Sequence, residues 1–310
     1  MTQVIFGPVP SRRLGQSIGI NHIPPKVCTY ACRYCQLGNA IRMQTRREAF
    51  YKPEDIILQV KERLNHSGHV DFLTLVPDGE PALDARLDEL ITGLKKLEVP
   101  VAVISNASLL WNEDVRQALL KTDRISVKVD AATEETWRKV DRPHKNLDFE
   151  TVKQGVRAFA AAYEGYLMTE SMLIDGYNDT EDELRKMADF LGEVNPDVAY
   201  IAIPTRPPAD PRVKPAGEKA LQTAWALFSE KVKRAELLIG YEGNAFAASG
   251  DAESDILSIT AVHPMREDAV KELLEKDNAG MQLVEQLIKD NKLLRLNFGG
   301  HNFYLRKLKA

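Results

Sequence analysis

Three cysteines, Cys28, Cys32 and Cys35, fall within eight residues of a 310-residue chain that holds no other. An odd number excludes a closed disulfide framework. A redox pair of Cys32 and Cys35 leaves Cys28 unexplained, and a structural zinc site wants four ligands, so His22 would have to serve as the fourth. The three-then-two spacing places three thiolates on one short loop. Such a loop can wrap a corner of an iron–sulfur cubane and ligate three of its four irons. The fourth iron is then open to a small molecule that carries an amine and a carboxylate, much as a catalytic zinc keeps one position free.

Short apolar runs at 70–76, 101–105, 125–129, 166–173 and 198–203 read as buried strands, with another around 17–21. Helical patterns lie between them at 54–64, 83–97, 113–121, 149–162 and 181–194. Strands that alternate with helices predict an α/β chain with a parallel sheet and right-handed crossovers. About six β/α units are too few for a closed eight-fold barrel and suit an open one. Polar residues then gather at strand ends, where barrels place their sites: Pro77-Asp78-Gly79-Glu80-Pro81, then Ser105, Asn106 and Ser108, then Lys128 with Asp130, and the run from Ile174 through Asn178 to Asp179.

The run VCTYACRYCQLG, with Tyr34 directly before the last cysteine, resembles the signature of the radical S-adenosylmethionine (radical SAM) superfamily. The resemblance implies a partial (β/α)6 barrel, a [4Fe–4S] cluster on Cys28, Cys32 and Cys35, and S-adenosylmethionine as cofactor. It assigns Gly79, Glu80 and Pro81 to the motif that holds the methionine amino group, although Asp78 replaces the motif's first glycine. It also assigns Ser105, Asn106, Lys128 and Asp130 to the methionine carboxylate and ribose, and Ile174 and Asn178 to the adenine region. Around it, FGPVPSRRLG at 6–15, Cys35-Gln36-Leu37-Gly38 and Thr205-Arg206-Pro207-Pro208 resemble a wyosine-synthase-like group of Fe–S oxidoreductases. That group's second cluster needs cysteines upstream, and none precedes Cys28. Reductive cleavage of S-adenosylmethionine is implied, with flavodoxin or ferredoxin as electron donor. The radical formed abstracts hydrogen from a substrate that the residues do not name. Arg12, Arg13 and Arg206 are candidates for substrate or cofactor carboxylates, because guanidinium forks match them.

Beyond the five prolines of 204–215, a helix and a Gly/Ala-rich linker at 240–250 predict a boundary between a barrel of residues 1–240 and a domain of 251–310. Three helices and a hairpin give that domain a winged-helix-like pattern. The net charge of −4 is uneven: residues 1–53 carry +7 and the last 22 carry +5, which leaves −16 between them. Within 251–310 only the hairpin is basic, which predicts a module that docks a substrate, RNA or peptide, rather than a surface that coats nucleic acid. No apolar run is long enough for a membrane, and the N-terminal residues lack a leader pattern, so the expected compartment is the cytoplasm. A glycyl-radical-enzyme activase and a non-catalytic metal-containing winged-helix regulator remain as alternatives.

Overall fold

The computed structural model describes residues 4–240, 246, 248 and 250–307. A hairpin of β1 (Ile5–Ser11) and β2 (Gly15–Ile20) opens the chain, followed by the short paired strands β3 (Val27–Cys28) and β4 (Arg42–Met43). The alternating unit then repeats: α1 (Pro53–Asn65), β5 (Phe72–Leu75), α2 (Leu87–Lys95), β6 (Val101–Ser105), α3 (Glu113–Leu119), β7 (Arg124–Lys128), α4 (Glu134–Val140) and α5 (Phe149–Ala162). It continues with β8 (Tyr166–Met172), α6 (Glu181–Val194), β9 (Val198–Ala202), α7 (Glu218–Lys231) and β10 (Ala235–Leu238). The C-terminal region holds α8 (Ala252–Val262), β11 (Met265–Arg266), α9 (Glu267–Lys276), α10 (Met281–Lys289), β12 (Leu293–Phe298) and β13 (His301–Arg306).

One sheet runs β1-β2-β5-β6-β7-β8-β9-β10, parallel from β2 onward, with β1 and β10 as its edges. The six expected strands are β2 and β5 to β9, so the open α/β arrangement stands. Two further strands extend it. β1 contains Pro8 and Pro10 and lies at an edge, where missing N–H donors break no ladder. β10 is half exposed and lacks the apolar signature of its neighbours. The short helix α4, with its charged EETWRKV, also lay outside the expected helices.

Side-chain hydroxyls, carboxylates or amides of Asn112, Thr133, Asp148, Thr180 and Asp251 accept from the first turns of α3, α4, α5, α6 and α8. Each such cap stabilises its helix by about 1 kcal/mol. Outward strand residues such as Leu73, Val103, Ile125, Leu167 and Ile201 pack with Leu90, Phe159 and Leu184 of the helices into the main core. Alternate residues, including Ala102, Met168, Val198 and Tyr200, form a smaller cluster on the other face with Leu14 from the β1–β2 turn.

The expected three helices and hairpin are present in the C-terminal region, where β11 joins the hairpin in a three-stranded antiparallel sheet of order β11-β13-β12. Phe6 and Val9 of β1 share a buried cluster with Ile256, Leu273 and Tyr304, so this region is seated on the sheet's first edge. The expected linker at 240–250 falls mostly outside the described residues.

Gly155 of α5 lies close against a loop: an added Cβ would lie 2.3 Å from the Trp111 amide nitrogen and 2.6 Å from the Leu110 carbonyl carbon. Backbone cannot yield cheaply in a packed interior. Gly155→Ala is therefore expected to lower stability by about 1–3 kcal/mol, measured by urea unfolding. A change within about 0.5 kcal/mol, the ordinary range for a surface substitution, would contradict the close packing.

Candidate active site

The cysteine loop follows β2, the first parallel strand, and is held from two sides. On one side, the Ala31 amide donates to Asp141 O (3.1 Å) and the Arg33 amide to Val140 O (3.0 Å), at the end of α4. Trp137 of α4 donates from Nε1 to the Tyr30 hydroxyl (3.0 Å), with the two rings edge to face. On the other side, the Glu80 amide donates to Val27 O (3.2 Å) and the Lys26 amide to Asp78 O (3.1 Å). A Cβ on Gly79 would stand 2.1 Å from Val27 O, so this close approach requires glycine.

Within the loop, the Cys35 amide donates to Cys32 O (3.1 Å), a turn that brings the last two thiols to one side. All three cysteines are partly exposed as residues, mostly away from the Cys28 and Cys32 sulfurs, which burial dominates. Lys26 Nζ lies 3.4 Å from Cys35 Sγ and also donates to Gly38 O (2.6 Å), while Asn106 Nδ2 lies 3.6 Å from Cys28 Sγ. Burial, reinforced by the charge of Glu80, pushes the Cys28 thiol up to about 12, and burial with the nearby Asp141 raises Cys32 strongly. Sulfurs so placed would persist as thiolates only against a strong positive charge, of the kind a metal centre would supply. His22 is fully buried and meets the Pro81 carbonyl at 3.4 Å through Nε2. Among the described residues no group of three His, Cys, Asp or Glu side chains is gathered for a single metal ion. The donor set, three thiols from one loop with N–H groups at two sulfurs, fits a cluster whose thiolates bind separate irons.

The other expected residues divide into two groups. Glu80, nearly fully buried, accepts from the Ala82 amide (3.0 Å), Ser105 Oγ (2.7 Å) and the Asn106 amide (2.8 Å). Its carboxylate thus ties the end of β6 to the loop after β5. Asn106 in turn bonds Thr29 Oγ1 (2.8 Å) beside Cys28. Pro81 opens the 3-10 turn Pro81–Leu83, which follows.

Across the site, the Tyr34 hydroxyl donates to Asp130, whose other oxygen accepts from the Met172 amide (2.7 Å). Lys128 sits 4.9 Å from the Tyr34 ring centroid and pairs with Glu170, which also pairs with Arg13. Burial works against ionising Glu170, yet Arg13 and Lys128 hold its carboxyl down at about 2. Burial likewise opposes the Lys128 charge, and the carboxylates of Asp130 and Glu170 override it. Asn178 closes this side, accepting from the Ile174 amide (2.8 Å) and donating to Asp130 O (2.8 Å) and Met172 O (2.9 Å). Ile174 is fully buried beside Val140, Val213 and Tyr34.

The three expected arginines occupy different places. Arg13 is committed to Glu170 and to Ser126 Oγ (3.4 Å), whereas Arg12 is exposed. Arg206 bonds Gln36 Oε1 (3.0 Å), next to Cys35, and lies 2.9 Å from His263 Nε2 at the end of α8. Glu170, Asp141 and Lys26 were not among the expected residues. Glu170 carried a legible signal as the lone charge within the strand sequence YLMTESM. Lys26 stands two residues before Cys28, whereas Asp141 carried no signal, because only the fold brings it to the thiols.

A model of the radical SAM superfamily matches residues 23–191. A UPF0026 protein of Methanocaldococcus jannaschii is 42% identical over 99% of this chain and 97% of its own length. Among solved structures, Streptococcus suis SuiB bound to S-adenosylmethionine aligns with a TM-score of 0.53 at 12% identity, over 70% of this chain and 49% of that one. A radical SAM methyltransferase from Sphaerobacter thermophilus aligns with a TM-score of 0.51 at 12% identity, over 72% and 66%. The chain therefore spans about half the length of SuiB, and these two likenesses bear on the fold alone.

Buried carboxyls give the site a distinct pH response. Burial raises Asp78 to about 6, Glu80 to about 7 and Asp84 to about 6, and it raises Asp130 and Asp141 as well. The folded chain therefore keeps protons that the unfolded chain has released by pH 5, so each group lowers stability as pH rises through the interval. His22, lowered by burial to about 4, acts in the opposite sense below about 6.5. The carboxyls outnumber it, so unfolding free energy is expected to fall between pH 5 and pH 6 at constant ionic strength, at about 1.4 kcal/mol per pH unit for each net proton. A rise over that interval would overturn the assignment.

Proposed function

The chain belongs to the radical SAM superfamily, and from that premise we propose that it binds a [4Fe–4S] cluster through Cys28, Cys32 and Cys35 and cleaves S-adenosylmethionine reductively. The observation that carries this reading is the loop itself: three cysteines on one short loop, tied to α4 and to the turn after β5, among the polar ends of parallel strands. When bound, the cluster supplies one electron to the sulfonium, which releases methionine and a 5′-deoxyadenosyl radical able to take hydrogen from a substrate.

The chain's own residues prepare the place. Lys26 and Asn106 direct N–H donors at sulfur, which steadies thiolate charge. The Glu80 carboxylate is spent on three protein donors, so its segment offers a ligand amine the backbone around Gly79 and Glu80. Asn106 and Asp130, at the ends of β6 and β7, face the cofactor's carboxylate and ribose in this reading, with Ile174 and Asn178 flanking its adenine. Flavodoxin or ferredoxin is the proposed electron donor. We read the C-terminal region as a winged-helix-like module, with its basic hairpin docking an RNA or peptide substrate. Its seat on β1 and its contact with Gln36 through Arg206 support placing that substrate beside the thiols. Among the described residues no helix is long and apolar enough to cross a membrane, in keeping with work in the cytoplasm.

Anaerobic reconstitution with iron and sulfide, then dithionite and S-adenosylmethionine, is expected to yield 5′-deoxyadenosine. Cys28→Ala, Cys32→Ala and Cys35→Ala should each lose the cluster's visible absorbance and most of the bound iron. A wild-type protein that binds iron but yields no 5′-deoxyadenosine, with no spectral change on S-adenosylmethionine, sinks the catalytic reading. Full iron in any of the three variants sinks the ligand assignment.

A further inference from the structure

A cavity of about 690 Å³ lies between the β1 edge of the sheet and the C-terminal region. Its size falls in the range of small-molecule sites, about 300–1,000 Å³, and seams between domains are favoured positions for them. One wall includes Ile5, Asn21, Tyr51 and Asp78; the other includes Leu257, Lys292, Arg306 and Lys307.

Asp78 is the point of departure. It stands where the family's motif has glycine, and it is 2% exposed. Among the described residues no donor meets either of its oxygens in full hydrogen-bond geometry; the Asn21 side chain and the backbone N–H groups of Asp78 and Lys26 stand close enough only to offset part of the cost of its burial. The nearby Lys26 ammonium already serves Gly38 O and Cys35 Sγ. A buried carboxylate left in this condition calls for donors from outside the protein.

The opposite wall has the contrary charge. Lys292 pairs with Glu253, Lys307 bonds Asn291 Oδ1, and Arg306 donates to the Leu257 carbonyl at 3.5 Å. Each keeps further N–H groups for an anion. A simple anion would be repelled by Asp78 and a simple cation by the basic wall. The fitting ligand is bipolar, with paired N–H donors at one end and an anionic group at the other. A free amino acid is bipolar but leaves most of this volume empty. A guanine base presents two adjacent N–H donors that match a carboxylate as a guanidinium does, and its phosphate lies a nucleoside's length away.

We propose that this cleft binds a guanine nucleotide, with the base on Asp78 and the phosphate on Lys292, Arg306 and Lys307. The proposal goes beyond the radical chemistry and does not depend on it. Isothermal titration of the reconstituted protein with GMP, AMP and ribose 5-phosphate tests it. GMP is expected to bind, AMP and ribose 5-phosphate at least tenfold more weakly. Asp78→Asn should weaken GMP at least tenfold with the unfolding midpoint retained. The exposed pair Arg306→Ala with Lys307→Ala should weaken GMP and ribose 5-phosphate together, and it serves as the readout should Asp78→Asn fail to fold. AMP or ribose 5-phosphate binding as tightly as GMP, GMP affinity unchanged in folded Asp78→Asn or in the paired variant, or no binding by GMP would each overturn the proposal. None of these outcomes requires S-adenosylmethionine cleavage, so failure here is separable from failure of the radical SAM reading.

Discussion

The Glu80 carboxylate is the constraint on which the site's geometry rests. A carboxylate out of water is costly unless donors surround it, and here the Ala82 and Asn106 amides and Ser105 Oγ do so. Those donors come from two separate strand ends, while the Glu80 amide itself reaches Val27 beside Cys28. One buried group therefore fixes the spacing of β5, β6 and the cysteine loop. Even with three donors its carboxyl is raised by burial to about 7. Gly79 is the companion of that constraint, because only a residue without Cβ allows the loop to come so near.

A second buried network does for the far side what Glu80 does for the near one. Arg13 reaches from the β1–β2 turn to Glu170 on β8, Glu170 holds Lys128 on β7, and Lys128 lies over Tyr34 in the cysteine loop. Two cations on one carboxylate make a charged chain whose members lack the freedom to repack singly. Removing one partner from such a buried pair leaves an uncompensated charge, with destabilisation of about 3–5 kcal/mol. The FGPVPSRRLG segment is thus an edge strand and a turn that carry a guanidinium to the sheet.

What the sequence made legible follows from period and chemistry. Cysteine spacing and apolar strand runs are local signals, and they located the thiol loop, six parallel strands and most helices. β10 hid behind its exposure and α4 behind its charges, since each draws its stability from neighbours rather than from its own pattern. The site divides in the same way. Ser105, Asn106, Lys128, Asp130 and Asn178 could be chosen because strand ends are where barrels put polar residues. Their partners could not: Asn178 spans two strand ends through Asp130 and Met172, and Glu80 turns its carboxylate inward to Ser105. Those contacts join residues 6 to 48 positions apart, and spacing alone says nothing of such pairs.

The proline-rich segment after β9 shows how the C-terminal region is coupled to the thiols. Five prolines between 204 and 215 restrict its backbone, and it is tied down at intervals. The Asp210 amide donates to Arg33 O (2.9 Å), the Arg33 guanidinium returns to the Asp210 carboxylate, and the Asp175 amide donates to Lys214 O (3.0 Å). Arg206 projects from this strap to Gln36 on one side and His263 on the other. A stiff segment with both faces occupied transmits displacement instead of absorbing it. The guanidinium thus touches both Gln36, beside Cys35, and His263, at the end of α8, and it joins the apolar seat on β1 in holding the C-terminal region to the barrel.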